Sequence, residues 1–266
     1  YRPEDTSGMV LRNDPTAEFY LPSGGRMVGI ERLDVVTGSG DDLITNTESD
    51  ASDRLQTGDG NDTIDAGAGD DYIDAGPGDD VIDSGSGADT IYGGSGDDVV
   101  RLGALQSWSY EFADGGTGDD TLSLDLSALN QRHGLSAIDP ISGNTYWADA
   151  GSSWDTVRAL AGVAAVAGGW DLSPSSYYPG ATASVRNFEH IDVTGSAYDD
   201  LILYRGGTHY DGGDGNDTFY ADFSGTAASL QWDADANNFR SVDGITVANM
   251  ERFLLVSGSG DDVFRA

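Results

Sequence analysis

Residues 57–101 read TGDGNDTIDAGAGDDYIDAGPGDDVIDSGSGADTIYGGSGDDVVR, which is five copies of one nine-residue unit. In each copy, two glycines separated by one residue precede a position that is usually acidic, then an Asp, then an aliphatic residue two positions later. The Asp positions are Asp62, Asp71, Asp80, Asp89 and Asp98, and the aliphatic positions are Ile64, Ile73, Ile82, Ile91 and Val100. This period predicts a tight turn followed by a very short strand, wound repeatedly.

The glycines and the strand residues of each unit have separate physical roles. Glycine adopts positive φ without steric cost and lets two backbones approach closely, so the paired glycines predict the turn. These turn glycines are Gly58, Gly60, Gly67, Gly69, Gly76, Gly78, Gly85, Gly87, Gly94 and Gly96. The residues after each Asp alternate polar, apolar, polar, which is the period of a strand with one inward face. Since only one apolar residue per unit faces inward, many units must stack to be stable.

The unit resembles the nonapeptide G-G-x-G-x-D-x-U-x of the repeats-in-toxin (RTX) family. The resemblance implies an all-β fold, a right-handed parallel β-roll, that binds several Ca²⁺ ions between its turns. It also implies that the five Asp carboxylates and the backbone carbonyls of the turn glycines are the ligands. One departure is that only Gly93 keeps the first glycine of the family's pair, which Thr57, Ala66, Ala75 and Ser84 replace elsewhere.

The chemistry of these side chains agrees with a calcium site. Ca²⁺ takes roughly 6–8 oxygen ligands, and a stack of Asp side chains and turn carbonyls offers only oxygens. Carboxylates held in register also repel one another unless a cation lies between them. The alternative is that these Asp residues are ordinary solvated turn formers.

Partial copies of the unit extend the prediction beyond residue 101. Gly115–Leu122 and Gly212–Phe219 keep the full double glycine, and three further copies carry a Glu eleven residues before their second Asp, at Glu31, Glu189 and Glu251. The constant spacing indicates one repeated coil, in which the Glu is either a solvated strand charge or part of an ion's shell. We expect further Ca²⁺ sites at Asp42, Asp120, Asp200, Asp217 and Asp262, and the site at Asp200 follows the degraded turn at Ala197 and Tyr198.

The pattern divides the chain into four segments. Residues 1–28 are predicted to cap the first coil, and 29–126 to form the roll, with its regular core at 53–101. Residues 127–184 interrupt the repeats and should carry a short helix that begins near Ser153 and ends at Gly168. Residues 185–266 are predicted to resume the roll around a hairpin at about 226–247. Asp233, Asp235 and Asn237 in that hairpin imitate an EF-hand loop but lack its glycine and its final Glu, which indicates a polar turn.

Composition excludes several classes of function. The 266 residues carry 46 acidic and 13 basic side chains, for a formal charge of -33, which excludes a nucleic-acid partner. There is no cysteine, and no apolar run approaches the roughly 20 residues of a transmembrane helix. His133, His190 and His209 lie far apart, and the glycine-rich turns contain no Lys, so zinc-protease and phosphate-loop motifs are absent. We therefore expect no enzymatic activity in this chain.

The resemblance implies a secreted bacterial protein, exported by type I secretion and folding at the high Ca²⁺ concentration outside the cell. The leading hypothesis is a non-enzymatic module of an adhesin, surface-layer or matrix protein, whose partner would be a surface protein or glycan. One alternative is the roll of a larger secreted enzyme, such as a protease, lipase or epimerase. Another is a filament or lattice subunit that self-associates through the open ends of the solenoid.

Overall fold

The structure, a computed structural model, describes residues 8–12, 19–20, 26–27, 32–46, 50–105, 110–129, 133–174, 183–227, 229, 231–235, 238–240 and 245–265. Most of the cap predicted for residues 1–28, together with Glu31 and Asn237, lies outside these residues. The chain forms two compact units. Unit 1 comprises residues 1–105, 109–123 and 185–188, and unit 2 comprises 106–108, 124–184 and 189–266.

The described residues form 26 strands and one helix. In chain order they are β1 (Val10–Arg12), β2 (Phe19–Tyr20), β3 (Arg26–Met27), β4 (Asp34–Val36), β5 (Leu43–Thr45), β6 (Arg54–Gln56), β7 (Thr63–Asp65), β8 (Tyr72–Pro77), β9 (Val81–Asp83), β10 (Thr90–Ser95), β11 (Val99–Arg101), β12 (Glu111–Thr117), β13 (Thr121–Asp125), β14 (His133–Ile138), β15 (Thr145–Ala148), α1 (Trp154–Ala167), β16 (Gly169–Pro174), β17 (Ala183–Arg186), β18 (His190–Thr194), β19 (Leu201–Leu203), β20 (His209–Asp211), β21 (Thr218–Asp222), β22 (Gln231–Asp235), β23 (Asn238–Arg240), β24 (Thr246–Ala248), β25 (Arg252–Val256) and β26 (Val263–Arg265).

Successive strands of unit 1 alternate between two parallel sheets. One sheet contains β1, β5, β7, β9 and β11, and the other contains β4, β6, β8, β10 and β12. In the first sheet Ile64 pairs with Ile82, which pairs with Val100. Two nonapeptide units therefore make one coil, and each sheet receives one strand from every coil.

The core of unit 1 contains a column of large aliphatic side chains in each sheet, one from each strand of the regular repeats. Ile64, Ile73, Ile82, Ile91 and Val100 are each at most 1% exposed. Their flanking residues point outward because side chains alternate across a strand. This arrangement buries little apolar surface per residue. Much of the stability must therefore come from the backbone hydrogen bonds between strands and from the turns.

Unit 2 has a shorter parallel array and a different core. Strands β19, β21 and β25 pair in parallel, as do β18, β20 and β24. Aromatic rings fill the core here: Tyr210 and Phe219 are fully buried, with ring centroids 5.1 Å apart. Strand β14 pairs antiparallel with both β15 and β16, and β22 pairs antiparallel with β23.

The single helix of the described chain, α1, has clear signals at both ends. Ser153 is the N-cap, and its hydroxyl oxygen accepts the backbone N–H of Thr156. Gly168 ends the helix with φ at 71° and donates its N–H to the carbonyl of Ala164. The predicted fold, a parallel β-roll with one short helix, is confirmed, whereas the predicted segment bounds stay predictions. Among the described residues no helix is long and apolar enough to cross a membrane.

Candidate metal sites in the turns

The Asp of each repeat unit binds the backbone of the preceding coil. The N–H of Asp62 donates to Oδ1 of Asp80 at 2.7 Å, and the N–H of Asp80 donates to Oδ1 of Asp98 at 2.9 Å. We call the two runs of such bonds the inner ladders. One runs from Met9 through Asp42, Asp62, Asp80 and Asp98 to Asp120, and the other from Leu33 through Asp53, Asp71 and Asp89 to Glu111.

The residue before each Asp forms an outer ladder that runs in the opposite direction. Oδ1 of Asn61 accepts the N–H of Asp79 at 3.0 Å, and Oδ1 of Asp79 accepts the N–H of Asp97 at 2.9 Å. These side chains lie at the exposed surface of the turns. Because the position needs only one acceptor oxygen, Asn serves there as well as Asp does. Ala88, which has no side-chain acceptor, only donates its N–H to Oδ1 of Asp70 at this position.

The inner-ladder carboxylates are buried, with exposures of 0–2% from Asp62 to Asp98. Each uses Oδ1 in the ladder, and the second oxygen, Oδ2, of Asp71, Asp80 and Asp98 is buried without a hydrogen-bond partner. A buried carboxylate oxygen without a donor is strongly unfavourable, and a bound cation relieves that cost. These side chains are therefore not solvated turn residues, and the atoms they leave unsatisfied fit a hard cation such as Ca²⁺.

Side chains alone do not complete such a site. Within the described part of the chain, no group of three His, Asp or Glu residues is placed to hold a metal ion. The turn backbone lies beside the carboxylates, however: a Cβ added to Gly93 would be 2.5 Å from Oδ2 of Asp98 and 2.6 Å from the carbonyl oxygen of Gly115. Turn carbonyls are thus close enough to supply the remaining oxygen ligands, as the resemblance implies.

Burial raises the pKa of the inner-ladder carboxyl groups toward neutrality. Loss of hydration is the main cause for Asp71, Asp80 and Asp98, and it raises the pKa of each to about 7, although the ladder N–H of the preceding coil opposes the shift. Burial likewise raises the pKa of Glu111 to about 8. Neighbouring carboxylates add to these shifts, so without a cation the turns resist full ionisation at neutral pH. A nearby positive ion reverses that preference.

Unit 2 contains a shorter inner ladder. The N–H of Asp200 donates to Oδ1 of Asp217 at 2.7 Å, and the N–H of Asp217 donates to Oε2 of Glu251 at 2.8 Å. Oδ2 of Asp217 is buried without a partner, as in unit 1. Oδ2 of Asp200 instead accepts both the N–H and the hydroxyl of Ser196, at 2.6 and 2.8 Å. The degraded turn therefore satisfies Asp200 internally, and this carboxylate is less available to an ion than Asp217.

The structure places most of the predicted site residues in these turns. All ten turn glycines named from the sequence adopt positive φ, between 80° and 148°. Asp42, Asp120 and Asp217 lie in the inner ladders, whereas Asp262 is a half-buried residue just before β26. Which oxygen atoms bind an ion stays a prediction.

Sequence reasoning missed two members of the inner ladders, Asp53 and Glu111. Neither follows a pair of turn glycines, so neither matches the full unit. A simpler signal identifies both, because Asp53 lies nine residues before Asp62 and Glu111 lies nine residues before Asp120. Reading the acidic period without requiring the glycines would have found them. For Glu251 the sequence leaves open a solvated strand charge or a part of an ion's shell, and its hydrogen bond with the N–H of Asp217 places it in the inner ladder.

The geometry defines a parallel β-roll whose turns present buried carboxylates to cations. A family model described as the RTX calcium-binding nonapeptide repeat (4 copies) matches residues 49–82, 75–104 and 209–223. The chain therefore carries RTX repeats in both units, which confirms the resemblance, and repeats of this family bind several Ca²⁺ ions. Neither a curated protein nor a solved structure matches the chain.

Proposed function

We propose that this chain is a module of a secreted or cell-surface bacterial protein and that Ca²⁺ binding to its turns drives its folding. The observation that supports the proposal is the row of buried carboxylate oxygens without hydrogen-bond partners on the inner ladders, including Oδ2 of Asp71, Asp80 and Asp98. With a formal charge of -33, compaction without counterions is unfavourable. Low Ca²⁺ in the cytosol and high Ca²⁺ outside would then keep the chain unfolded until export.

In this proposal each inner-ladder Asp has two functions. Its Oδ1 fixes the preceding coil by accepting an N–H, and its Oδ2, with carbonyls of the turn glycines, holds an ion. Bound Ca²⁺ supplies the positive charge that lets stacked carboxylates remain ionised and buried. The proposed ligands are the Asp residues of the five regular units and of the partial copies, with Asp200 the weakest because Ser196 already occupies its Oδ2. They are Asp62, Asp71, Asp80, Asp89, Asp98, Asp42, Asp120, Asp217, Asp262 and Asp200.

Neighbouring residues 79 and 80 provide a matched test. Asp80→Asn keeps an acceptor for the N–H of Asp62 but removes the charge of the buried carboxylate. We expect the Ca²⁺ concentration at the folding midpoint to rise severalfold, measured by circular dichroism. Asp79→Asn removes the same charge from the outer ladder, where Asn61 already fills the equivalent position, and should leave the midpoint nearly unchanged. Equal midpoints for both variants and the parent would contradict the proposed ligand set.

The cellular role that we propose is structural, in an adhesin, surface-layer or matrix protein that binds a surface protein or glycan. The supporting feature is that the paired carboxylates of the described turns, such as Asp79 and Asp80, lie in the outer and inner ladders, which accounts for them without catalysis. The alternative of a roll belonging to a secreted protease, lipase or epimerase predicts a catalytic domain in the full-length precursor. Sequencing the complete gene distinguishes these two roles.

A self-associating filament or lattice subunit is a further alternative for the same module. Its signature would be concentration-dependent assembly in Ca²⁺, measured by light scattering. We also propose the segment bounds predicted above, with the roll at 29–126 and 185–266, the insertion at 127–184 and the cap at 1–28. Limited proteolysis in Ca²⁺ tests them, because cleavage should concentrate in the insertion and the hairpin at about 226–247 rather than within 53–101.

A further inference from the structure

Two short turns of the chain differ from the repeat turns and resemble each other. Asn187-Phe188-Glu189 joins β17 to β18, and Asn249-Met250-Glu251 joins β24 to β25. In each turn the middle residue is buried and the Asn has a left-handed backbone, with φ at 54° and 52°. These are the two non-glycine residues with positive φ in the described part of the chain. Because this conformation is uncommon outside glycine, its recurrence at equivalent places indicates a shared function.

Each of these asparagines is bound to a double-glycine turn of the neighbouring coil. Nδ2 of Asn249 donates to Oδ1 of Asp211, which directly precedes a double glycine, at 2.7 Å. Nδ2 of Asn187 makes the same bond with Asp114, which also precedes a double glycine, at 2.7 Å. The side-chain amide therefore holds the Asn backbone beside the turn glycines of the adjacent coil.

The carbonyl oxygen of Asn249 takes the position that a glycine carbonyl has in the regular repeats. A Cβ added to Gly212 would lie 2.7 Å from Oδ2 of Asp217 and would overlap the carbonyl oxygen of Asn249. A Cβ added to Gly93 meets Oδ2 of Asp98 and the carbonyl oxygen of a turn glycine in the same way. The two spaces are bounded alike, and one Ca²⁺ with bonds of about 2.3–2.6 Å can reach both oxygens.

The first short turn repeats this arrangement in unit 1. A Cβ added to Gly115 would lie 2.7 Å from Oδ2 of Asp120 and would overlap the carbonyl oxygen of Asn187. In both units the regular pattern stops after the double-glycine turn. At each of these places an Asn carbonyl stands where a further repeat would have supplied a glycine carbonyl.

In the second turn Glu251 adds a carboxylate at the same place. Its Oε2 accepts the N–H of Asp217 at 2.8 Å, and its own N–H donates to the carbonyl oxygen of Asp217 at 3.2 Å. Oδ2 of Asp217 is buried without a hydrogen-bond partner. A cation stabilises two carboxylates that lie this close together. Since Glu251 is exposed, water can complete the shell of such an ion.

We propose that the Asn-x-Glu turn closes the end of a run of repeats with a Ca²⁺ site in which the Asn carbonyl replaces a glycine carbonyl. In unit 2 the ligands are Oδ2 of Asp217, the carboxylate of Glu251 and the carbonyl oxygen of Asn249. In unit 1, Oδ2 of Asp120 and the carbonyl oxygen of Asn187 belong to the corresponding site. This inference rests on the proposed function, because it requires Ca²⁺ in the ladders. It explains how a segment without repeats can follow while the last Asp keeps its ion.

Anomalous diffraction from crystals of the full chain grown in Ca²⁺ tests the site without any substitution. We expect density within about 2.3–2.6 Å of Oδ2 of Asp217, a carboxylate oxygen of Glu251 and the carbonyl oxygen of Asn249. Ions elsewhere in the ladders but none at this place would overturn the inference and leave the proposed function intact. The absence of ions from every turn would overturn both.

Two substitutions in the same region of unit 2 separate the site from general charge effects. Glu251→Gln keeps an oxygen acceptor for the N–H of Asp217 but removes the charge. We expect this variant to bind one Ca²⁺ fewer per chain, counted by equilibrium dialysis, and to need severalfold more Ca²⁺ to protect amides in 217–221 from hydrogen exchange. Asp214→Asn removes an exposed charge from the adjacent double-glycine turn and should change neither quantity. An unchanged ion count and midpoint in Glu251→Gln would overturn the inference.

Asn249→Gly distinguishes the carbonyl from the side chain of this residue. Glycine accepts the left-handed φ and keeps the carbonyl, whereas the amide bond to Asp211 is lost. We expect the variant to bind as many Ca²⁺ ions as the parent chain, with circular dichroism in Ca²⁺ verifying that it folds. Loss of one ion from the folded variant would overturn the assignment of the carbonyl as the ligand.

Discussion

The two units stabilise the same kind of coil in different ways. Unit 1 has long inner ladders and a core of single aliphatic residues such as Ile73 and Ile82. In the described residues of unit 2, the inner ladder has only two bonds, and the core contains the contacting rings of Tyr204, Tyr210 and Phe219. Because aromatic side chains bury far more surface each, we expect the stability of unit 2 to depend less on bound ions than that of unit 1.

Removing Ca²⁺ should produce the largest difference in stability between the two units. A ligand that binds only the folded state stabilises it by about 2.7 kcal/mol per site at a hundred times its Kd, and unit 1 holds most of the proposed sites. We expect amides in 54–101 to lose nearly all protection from hydrogen exchange in EDTA, while those in 201–221 keep a measurable part. Equal loss in both regions would contradict the view that bound ions stabilise unit 1 more than they stabilise the aromatic core of unit 2.

A charge placed in the aliphatic column should nearly abolish folding of unit 1. Ile82→Asp buries an unpaired carboxylate at a position that is 0% exposed, and we expect a cost of several kcal/mol even in saturating Ca²⁺. The exposed neighbour gives the control, since Asp83→Asn should change stability by less than about 0.5 kcal/mol. Urea denaturation followed by circular dichroism measures both. A stable Ile82→Asp variant would show that the column is not the core of the roll.

Adding one methyl group in a turn should have an intermediate effect. Gly78 has φ at 148°, and its Cβ would overlap the carbonyl oxygen of Gly60 in the preceding coil. We expect Gly78→Ala to cost about 2–3 kcal/mol, from strained φ and the contact together. Gly225→Ala in unit 2 is the matched control, because no atom lies within 4 Å of that Cβ. Thermal unfolding in Ca²⁺ should show a clear loss for the first variant and little change for the second.

The pH dependence of stability should have opposite signs without and with Ca²⁺. Asp71, Asp80 and Asp98 have a folded-state pKa raised to about 7, well above the value of an unfolded carboxyl group, so the cation-free fold takes up protons. Between about pH 4 and 7 that fold should gain stability as the pH falls. With Ca²⁺ present, protons compete with the ion and acidification should raise the Ca²⁺ midpoint. Circular dichroism at pH 5.5 and 7.5, with EDTA and with Ca²⁺, checks both directions.

Much of unit 1 could be predicted because the place of a residue in the nine-residue repeat determines its place in the coil. A nine-residue period fixed the inward side chains, the turn glycines and the Asp positions without any tertiary information. Asp53 and Glu111 were missed because no pair of turn glycines precedes them. Coil length also changes before each of them: the ladder bonds from Leu33 to Asp53 and from Asp89 to Glu111 span 20 and 22 residues instead of eighteen.

The packing of helix α1 in unit 2 could not be predicted from the sequence for a different reason. Arg158 and Asp222 are 64 residues apart, and only the packing of α1 near β21 brings them together. The aromatic core is only partly periodic: Phe219 lies two residues after Asp217, where each repeat places its inward residue, and Tyr210 lies nine residues earlier, whereas Tyr204 has no such spacing. Local repeats predict local geometry, whereas irregular segments depend on contacts that pattern alone does not specify.

The alternation of strands between two sheets also restricts how such a chain changes length in evolution. Ladder partners in the regular array lie eighteen residues apart, as in the bonds from Asp62 to Asp80 and from Asp80 to Asp98. A recombination event that removes or duplicates eighteen residues joins equivalent positions and leaves every later strand in its own sheet. An event that removes or duplicates nine residues instead moves all later strands of unit 1 to the opposite sheet. Copy number in this array therefore grows by pairs of repeats, although the visible repeat is the single nonapeptide.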